Sequence, residues 1–250
     1  MIPLIVLMQK GSDKMTEKTL GILGGLGPMA SAYFYELITA HTFAEKDQDH
    51  IDIVISSKAT TPDRTAYIVG ESDADPTAIM MQEAEKLEQY GADLLVMPCN
   101  TAHFFYDSVR RSVSVPIMNI VDVTVGKCKE LGAARIGLLA TRGTVETHVY
   151  ERACRRFGIS LVLPEPEEQD AVTEIIYGQI KQGKAPDLDR FLAVSDKLTE
   201  RGCERIVLGC TELSLVKKDY RLPPRFVDSM EALAEAAILE CGKKTVGFAF

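Results

Sequence analysis

Two short segments place a cysteine where an apolar strand has just ended and a helix is about to begin. The first, DLLVMPCNTAH, carries Cys99 followed by Asn100 and Thr101; the second, RIVLGCTELS, carries Cys210 followed by Thr211 and Glu212. In open parallel sheets, ligands bind outside the carboxyl ends of the strands, so both thiols stand where a ligand would sit. A helix N-terminus favours the thiolate through its unpaired N–H groups and dipole, and it offers the same N–H groups to a carboxylate. A single buried cysteine is most often an inert core residue. Two matched ones, facing each other from related lobes, would flank one ligand from opposite sides. That geometry suits taking a proton from one face of a carbon and returning one to the other, as inversion of a stereocentre requires.

The elements that must hold these segments alternate along the chain. Residues 20–24 read as a buried strand ending in the turn GGLGP, and Pro28 opens a helix over 29–43. IDIVIS is a second strand, followed by the polar loop SSKATTPDRT and a helix that starts at Asp75 and Pro76 and is closed by Gly91. The strand before Cys99, a short helix from about Thr101, a strand over 115–118 and a helix over 121–131 complete this half. The pattern restarts with RIGLLATRGT, then a helix over 144–157, a strand over 159–163, two helices, one over 167–182 and one over 188–201, the strand RIVLG and a final helix from Asp228. Gly21 and Gly137 stand 116 residues apart and Cys99 and Cys210 stand 111 apart, as in a duplicated chain.

The expectation is therefore an α/β fold of two similar lobes related by a pseudo-twofold axis. Each is a small parallel sheet flanked by helices, with the site in the inter-lobe cleft. Residues 1–14 are read as an extension ahead of a second start at Met15, 15–119 as the first lobe and 120–225 as the second. Residues 226–250 are read as a C-terminal helix returning to the first lobe or to an interface, and the apolar face over 232–239 leaves a homodimer open.

Composition narrows the functions. With 250 residues, 46% hydrophobic and 26% charged, the chain can bury one large core or two small ones, which excludes a disordered tail. Its net charge of −8, without a basic run, speaks against a nucleic-acid partner. The longest apolar run, over 4–8, falls far short of the roughly 18 residues of a membrane helix. MIPLIVLM has neither a positive n-region nor a small-residue cleavage site, so the expected location is cytoplasmic, with no membrane partner.

Six cysteines without a C-x-x-C pair fit reduced thiols, and Cys128, Cys154, Cys203 and Cys241 fall in helix-like stretches where packing explains them. Four histidines show no metal-ligand spacing, so no metal site is expected. His103, one turn after Cys99, could tune the thiol or cap a neighbour, although its second-lobe counterpart is Ser214. The turn GGLGP lacks the pattern of a phosphate or dinucleotide loop, and Gly25 is read as a close backbone approach to a small ligand. Arg64, in the loop after the second strand, would suit a bidentate hold on a carboxylate, with a pair to Asp63 or Glu71 as its competing use.

GILGGLGPMA, TPDRTAY, MPCNTAH, LLATRGT and GCTEL, in this order over 21–215, resemble the aspartate/glutamate racemase family, the cofactor-independent two-cysteine amino-acid racemases. Within it the chain is more similar to aspartate racemases, because Gly24, Gly25 and Leu26 replace the DSG-type turn of glutamate racemases and Glu212 stands where those carry His. The resemblance implies that Cys99 and Cys210 are the acid/base pair and that no cofactor is used. It also implies that Asn100, Thr101 and Thr211 hold the α-carboxylate, with Glu212 and Gly25 at the substrate. Arg64 and a second-lobe lysine would lie near the substrate; Lys181 matches that lysine, with Lys184 its competitor. The implied partner is a small amino acid, aspartate or glutamate. The alternatives are a broad-specificity racemase or dicarboxylate isomerase of the same superfamily, and a non-catalytic ligand-binding or redox-sensing bilobal protein.

Overall fold

Eight strands make two four-stranded parallel sheets in the computed structural model, which describes residues 17–250. The first contains β1 (Leu20–Gly24), β2 (Ile53–Ser57), β3 (Leu94–Val96) and β4 (Ile117–Met118) in the order β2-β1-β3-β4. The second contains β5 (Arg135–Leu139), β6 (Ser160–Val162), β7 (Arg205–Leu208) and β8 (Phe226–Asp228) in the order β6-β5-β7-β8. The two orders coincide position by position, so the repeat in the sequence is a repeat of topology. The segment 1–14, read as an extension, lies outside the described residues.

The helices of the first half are α1 (Pro28–His41), α2 (Arg64–Ile68), α3 (Thr77–Gln89), α4 (Tyr106–Ser112) and α5 (Ile120–Glu130). Those of the second are α6 (Arg142–Glu146), α7 (Val149–Phe157), α8 (Pro166–Thr173), α9 (Leu188–Glu200), α10 (Thr211–Tyr220) and α11 (Ser229–Glu240). Helices α3 and α4 cover the outer face of the first sheet and α8 and α9 that of the second, while α1, α5, α7 and α11 lie between the sheets.

Strand residues alternate between these layers. Leu20 and Ile22 of β1 and Ile136 and Leu138 of β5 face the central layer; Leu23, Leu139 and Leu208 face outward. Both faces are covered, which is why the strands read as nearly unbroken apolar runs. Phe34 of α1, Leu233 and Ile238 of α11 and Val207 of β7 belong to one buried cluster, so the lobes share a core. Each such side chain, fully buried, contributes about 1.5–3 kcal/mol, and this continuity fixes the lobes where they meet.

The structure refines or departs from the sequence reading at several places. The apolar face over 232–239, a candidate dimer surface, is interior: Ala232, Leu233, Ala234, Ala237 and Ile238 are fully buried against α1 and α5, and only Leu239 is exposed. Residues 226–228 form β8, so the second sheet runs past residue 225. The helix expected over 144–157 breaks at His148, whose φ of 55° is left-handed. Thr101 opens a 3-10 turn, Thr101–Phe105, that only then becomes α4. No helix among the described residues is long and apolar enough to cross a membrane.

Candidate active site

Both cysteines leave a sheet at the carboxyl end of its third strand in spatial order, Cys99 after β3 and Cys210 as the N-cap of α10 after β7. They border one small, narrow cavity whose wall also contains Arg64, Asn100, Thr101, Lys181, Thr211 and Glu212. Leu26, Asp63, Thr65, Thr141 and Tyr177 complete the wall. A wider, more open pocket adjoins it and shares Arg64, Lys181 and Glu212.

Gly25 borders the wider pocket and is not part of the inner cavity's wall. Its φ is +79°, and a β-carbon there would come within 2.3 Å of Lys58 N, so the residue is required by the close packing of the β1–α1 turn on the loop after β2. Its N–H donates to Ser31 Oγ at 2.9 Å.

The second-lobe thiol has a built partner. Cys210 Sγ donates to Glu212 Oε2 at 2.9 Å, and Thr211 Oγ1 donates to the same oxygen at 3.3 Å. Burial pushes the Cys210 thiol well above its ordinary range, and the Glu212 charge adds to this while Lys181 opposes it. Cys210 is therefore held as S–H.

Lys181 Nζ lies 3.8 Å from Glu212 Oε1 and 4.3 Å from the centre of the Tyr177 ring. Burial works against its charge, but Glu212 and Tyr177 outweigh it, and the lysine is pushed up to about 12. A π-helical stretch, Glu174–Gln179, followed by a 3-10 turn, Ile180–Gln182, delivers Tyr177 and Lys181 to the cavity. Lys184 lies outside the cavity wall and donates to Gly178 O at 3.3 Å.

Arg64 is 8% exposed and forms no ion pair with Asp63 or Glu71. Its Nη1 donates to Pro62 O at 2.8 Å and Thr61 O at 3.2 Å, and its Nη2 to Leu26 O at 2.5 Å. The guanidinium thus clamps the loops after β1 and β2, and its buried Nε–H has no protein acceptor. Asp63 caps α2 through Ala66 N at 2.8 Å.

Two polar residues expected at the substrate are bonded across the lobes. Asn100 Oδ1 accepts from Tyr150 OH at 2.7 Å, and Asn100 Nδ2 donates to Ser229 Oγ at 2.9 Å. Thr101, Thr141 and Thr144 share a triangle of hydroxyl hydrogen bonds of 2.9, 2.9 and 3.0 Å. Gly143 lets α6 approach α2, since a β-carbon there would lie 2.8 Å from Thr65 Oγ1.

His103 does not reach the thiol. Its Nδ1 donates to Cys99 O at 2.9 Å and its Nε2 accepts from Ile120 N at 3.1 Å, which makes it a neutral strut between the Cys99 turn and α5. Burial pulls it down to about 4. Ser214 occupies the equivalent place, donating to Asp228 Oδ1, the cap of α11, at 2.6 Å. Cys128, Cys154, Cys203 and Cys241 are buried, and burial raises each thiol.

Sequence reasoning missed Leu26, Thr65, Thr141 and Tyr177 as lining residues. Tyr177 was within reach of it, because in a regular helix an aromatic residue four positions before Lys181 would share its face.

Residues 23–237 match a family described as Asp/Glu/hydantoin racemase. The chain is 28% identical over 227 residues to the broad specificity amino-acid racemase RacX of Bacillus subtilis, covering 88% of this chain and 96% of that one. Among solved structures it is similar to Picrophilus torridus aspartate racemase, with a TM-score of 0.77 and 31% identity over 91% of this chain and 96% of that one. An aspartate racemase homologue from Pyrococcus horikoshii OT3 gives a TM-score of 0.74 at 26% identity, covering 90% and 99%.

Proposed function

The chain belongs to the Asp/Glu/hydantoin racemase family, and from that premise we propose that it is a cofactor-independent isomerase interconverting L- and D-aspartate, or glutamate, by two-base proton transfer between Cys99 and Cys210. The observation that carries this reading is that one thiol from each half of the chain borders the same small cavity. An amino-acid α-hydrogen is a very weak acid, and without pyridoxal as electron sink the protein must supply positioning and electrostatics itself. One thiolate takes the α-proton, and the thiol on the other side returns a proton to the opposite face. The roles exchange with direction.

Cys210 is prepared as donor by its retained proton. To act as base it must first release that proton, and Glu212 Oε2 is the acceptor in place. The unpaired Nε–H of Arg64 and the cation of Lys181 supply donors for a side-chain carboxylate, which favours an acidic substrate. Cys99, Thr101, Thr211 and the remaining Asn100 donor line the space for the α-carboxylate.

A broad-specificity reading has one observation in its favour. The wider pocket opens past Arg64, Lys181 and Glu212 and is walled by Leu26, Pro28, Ile180 and Leu215, which would accommodate a larger apolar side chain. The test is proton NMR of L-aspartate in D2O with purified protein and no cofactor, with chiral chromatography of the same sample and Cys210→Ser as control. Loss of the α-proton signal with appearance of the D-form, both abolished by the substitution, is the expected result. Exchange of neutral amino acids instead of aspartate would favour the broad reading. Binding without exchange of any amino acid would overturn the racemase.

A further inference from the structure

The two thiols belong to different sheets, so their separation depends on what joins the Cys99 turn to the Cys210 turn. A buried hydrogen-bond chain does this directly. Tyr150 OH donates to Asn100 Oδ1 at 2.7 Å, Asn100 Nδ2 donates to Ser229 Oγ at 2.9 Å, and Ser229 Oγ donates to Leu208 O at 2.8 Å. Asn100 follows Cys99, and Leu208 is two residues before Cys210. The Tyr150 ring also lies against Gly209, where a β-carbon would come within 3.4 Å of Cε2. Tyr150 therefore bonds the residue after Cys99 and occupies the space beside the residue before Cys210. Tyr150 and Ser229 are 1% and 0% exposed, and neither lines the cavity.

We propose that Tyr150 and Ser229 are positioning residues that set the separation and facing of the Cys99 and Cys210 thiols. The proposal rests on the two-thiol reading above. Its physical basis is the steep dependence of proton transfer on distance: both thiols must stand within reach of one carbon, whereas a one-sided reaction needs only one of them. Asn100, caught in the middle of the chain, transmits the position of β7 to Cys99.

The discriminating measurement compares racemisation with a reaction that needs a single base. With 3-chloroaspartate, a thiolate takes the α-proton, the C–H electron pair becomes the Cα–Cβ double bond and chloride leaves with the C–Cl pair. Tyr150→Phe and Ser229→Ala are assayed for aspartate racemisation in both directions and for chloride release from each 3-chloroaspartate enantiomer, with Ser229→Thr as the hydroxyl-keeping control. We expect racemisation kcat to fall on the order of tenfold more than elimination from at least one enantiomer, with KM little changed and Ser229→Thr closer to the parent. The ratio of the two reactions is independent of how much protein is folded, so an unstable variant still reports. Equal loss in both reactions, or none, would overturn the positioning role alone. Absence of racemisation by the unaltered protein would overturn the two-thiol reading together with it.

Discussion

The Cys210 thiol donates to one oxygen of Glu212 at 2.9 Å while the other oxygen faces Lys181 Nζ at 3.8 Å. A carboxylate so placed can take the thiol proton and is steadied by a cation as it does so. Glu212→Gln removes the acceptor and keeps the size. It should lower racemisation kcat by about 10²–10³ in both directions, in keeping with the worth of a positioned general base, with a smaller change in KM. Chiral chromatography of initial rates checks this, and a kcat within twofold of the parent would exclude Glu212 from proton transfer.

Arg64 joins two loops through three carbonyl oxygens, and a lysine can satisfy only part of that set. Arg64→Lys should destabilise the protein by about 1–3 kcal/mol, because buried carbonyls lose their donors. It should also raise KM for aspartate more than for alanine, since only aspartate presents a second carboxylate. Urea denaturation and kcat/KM for both amino acids separate the two effects; an equal rise for both would place the side-chain carboxylate elsewhere.

His103 is neutral in the folded protein, pulled down to about 4 from 6.5 by burial. Its folded value lies below its unfolded one, so the stability it contributes is present above about pH 6.5 and is lost as pH falls toward 4. The loss is about 3 kcal/mol at about 1.36 kcal/mol per pH unit. His103→Gln should start less stable at pH 7.5 yet show a flatter decline between pH 6.5 and 4, measured by denaturant unfolding across that range. Parallel pH profiles would mean that other groups govern acid unfolding.

Gly25 has a left-handed backbone and no room for a side chain beside Lys58. Gly25→Ala should cost at least about 1–3 kcal/mol from strain. It should also weaken substrate binding, because the displaced loop carries Pro62 and Asp63 next to Arg64. Thermal unfolding and KM report the two parts, and an unchanged midpoint would show that the turn relaxes freely.

Much of the fold was legible because burial writes itself into the chain. Parallel strands covered on both faces must be apolar throughout, so LGILG, DLLVMP, RIGLL and RIVLG stand out, and the Cys99 and Cys210 segments follow from where two of them end. Strand β8 escaped because three residues after LPPR carry no periodicity and run straight into the Asp228 cap of α11. The place of helix α11 stayed open between the first lobe and an interface for a related reason: its apolar face looks the same whether a second copy or α1 of the first lobe, its actual neighbour, lies against it.

The site divides along the same line. Residue type and place, a cysteine at a strand end followed by small polar residues, depend on local chain geometry, and the sequence by itself determined those. Which groups meet did not follow from it. Lys181 rather than Lys184 reaches the cavity because a π-helical stretch turns it there, Asn100 is held by Tyr150 and Ser229 from the other half of the chain, and Glu212 bends back onto the Cys210 thiol. The Asn100 bonds join residues of both halves through the packing of helices between the two sheets, whereas the turn of Lys181 and the bend of Glu212 are local backbone and rotamer outcomes. Hydrogen bonds across more than a hundred residues, as between Asn100 and Ser229, are set by that packing and leave no periodic trace along the chain.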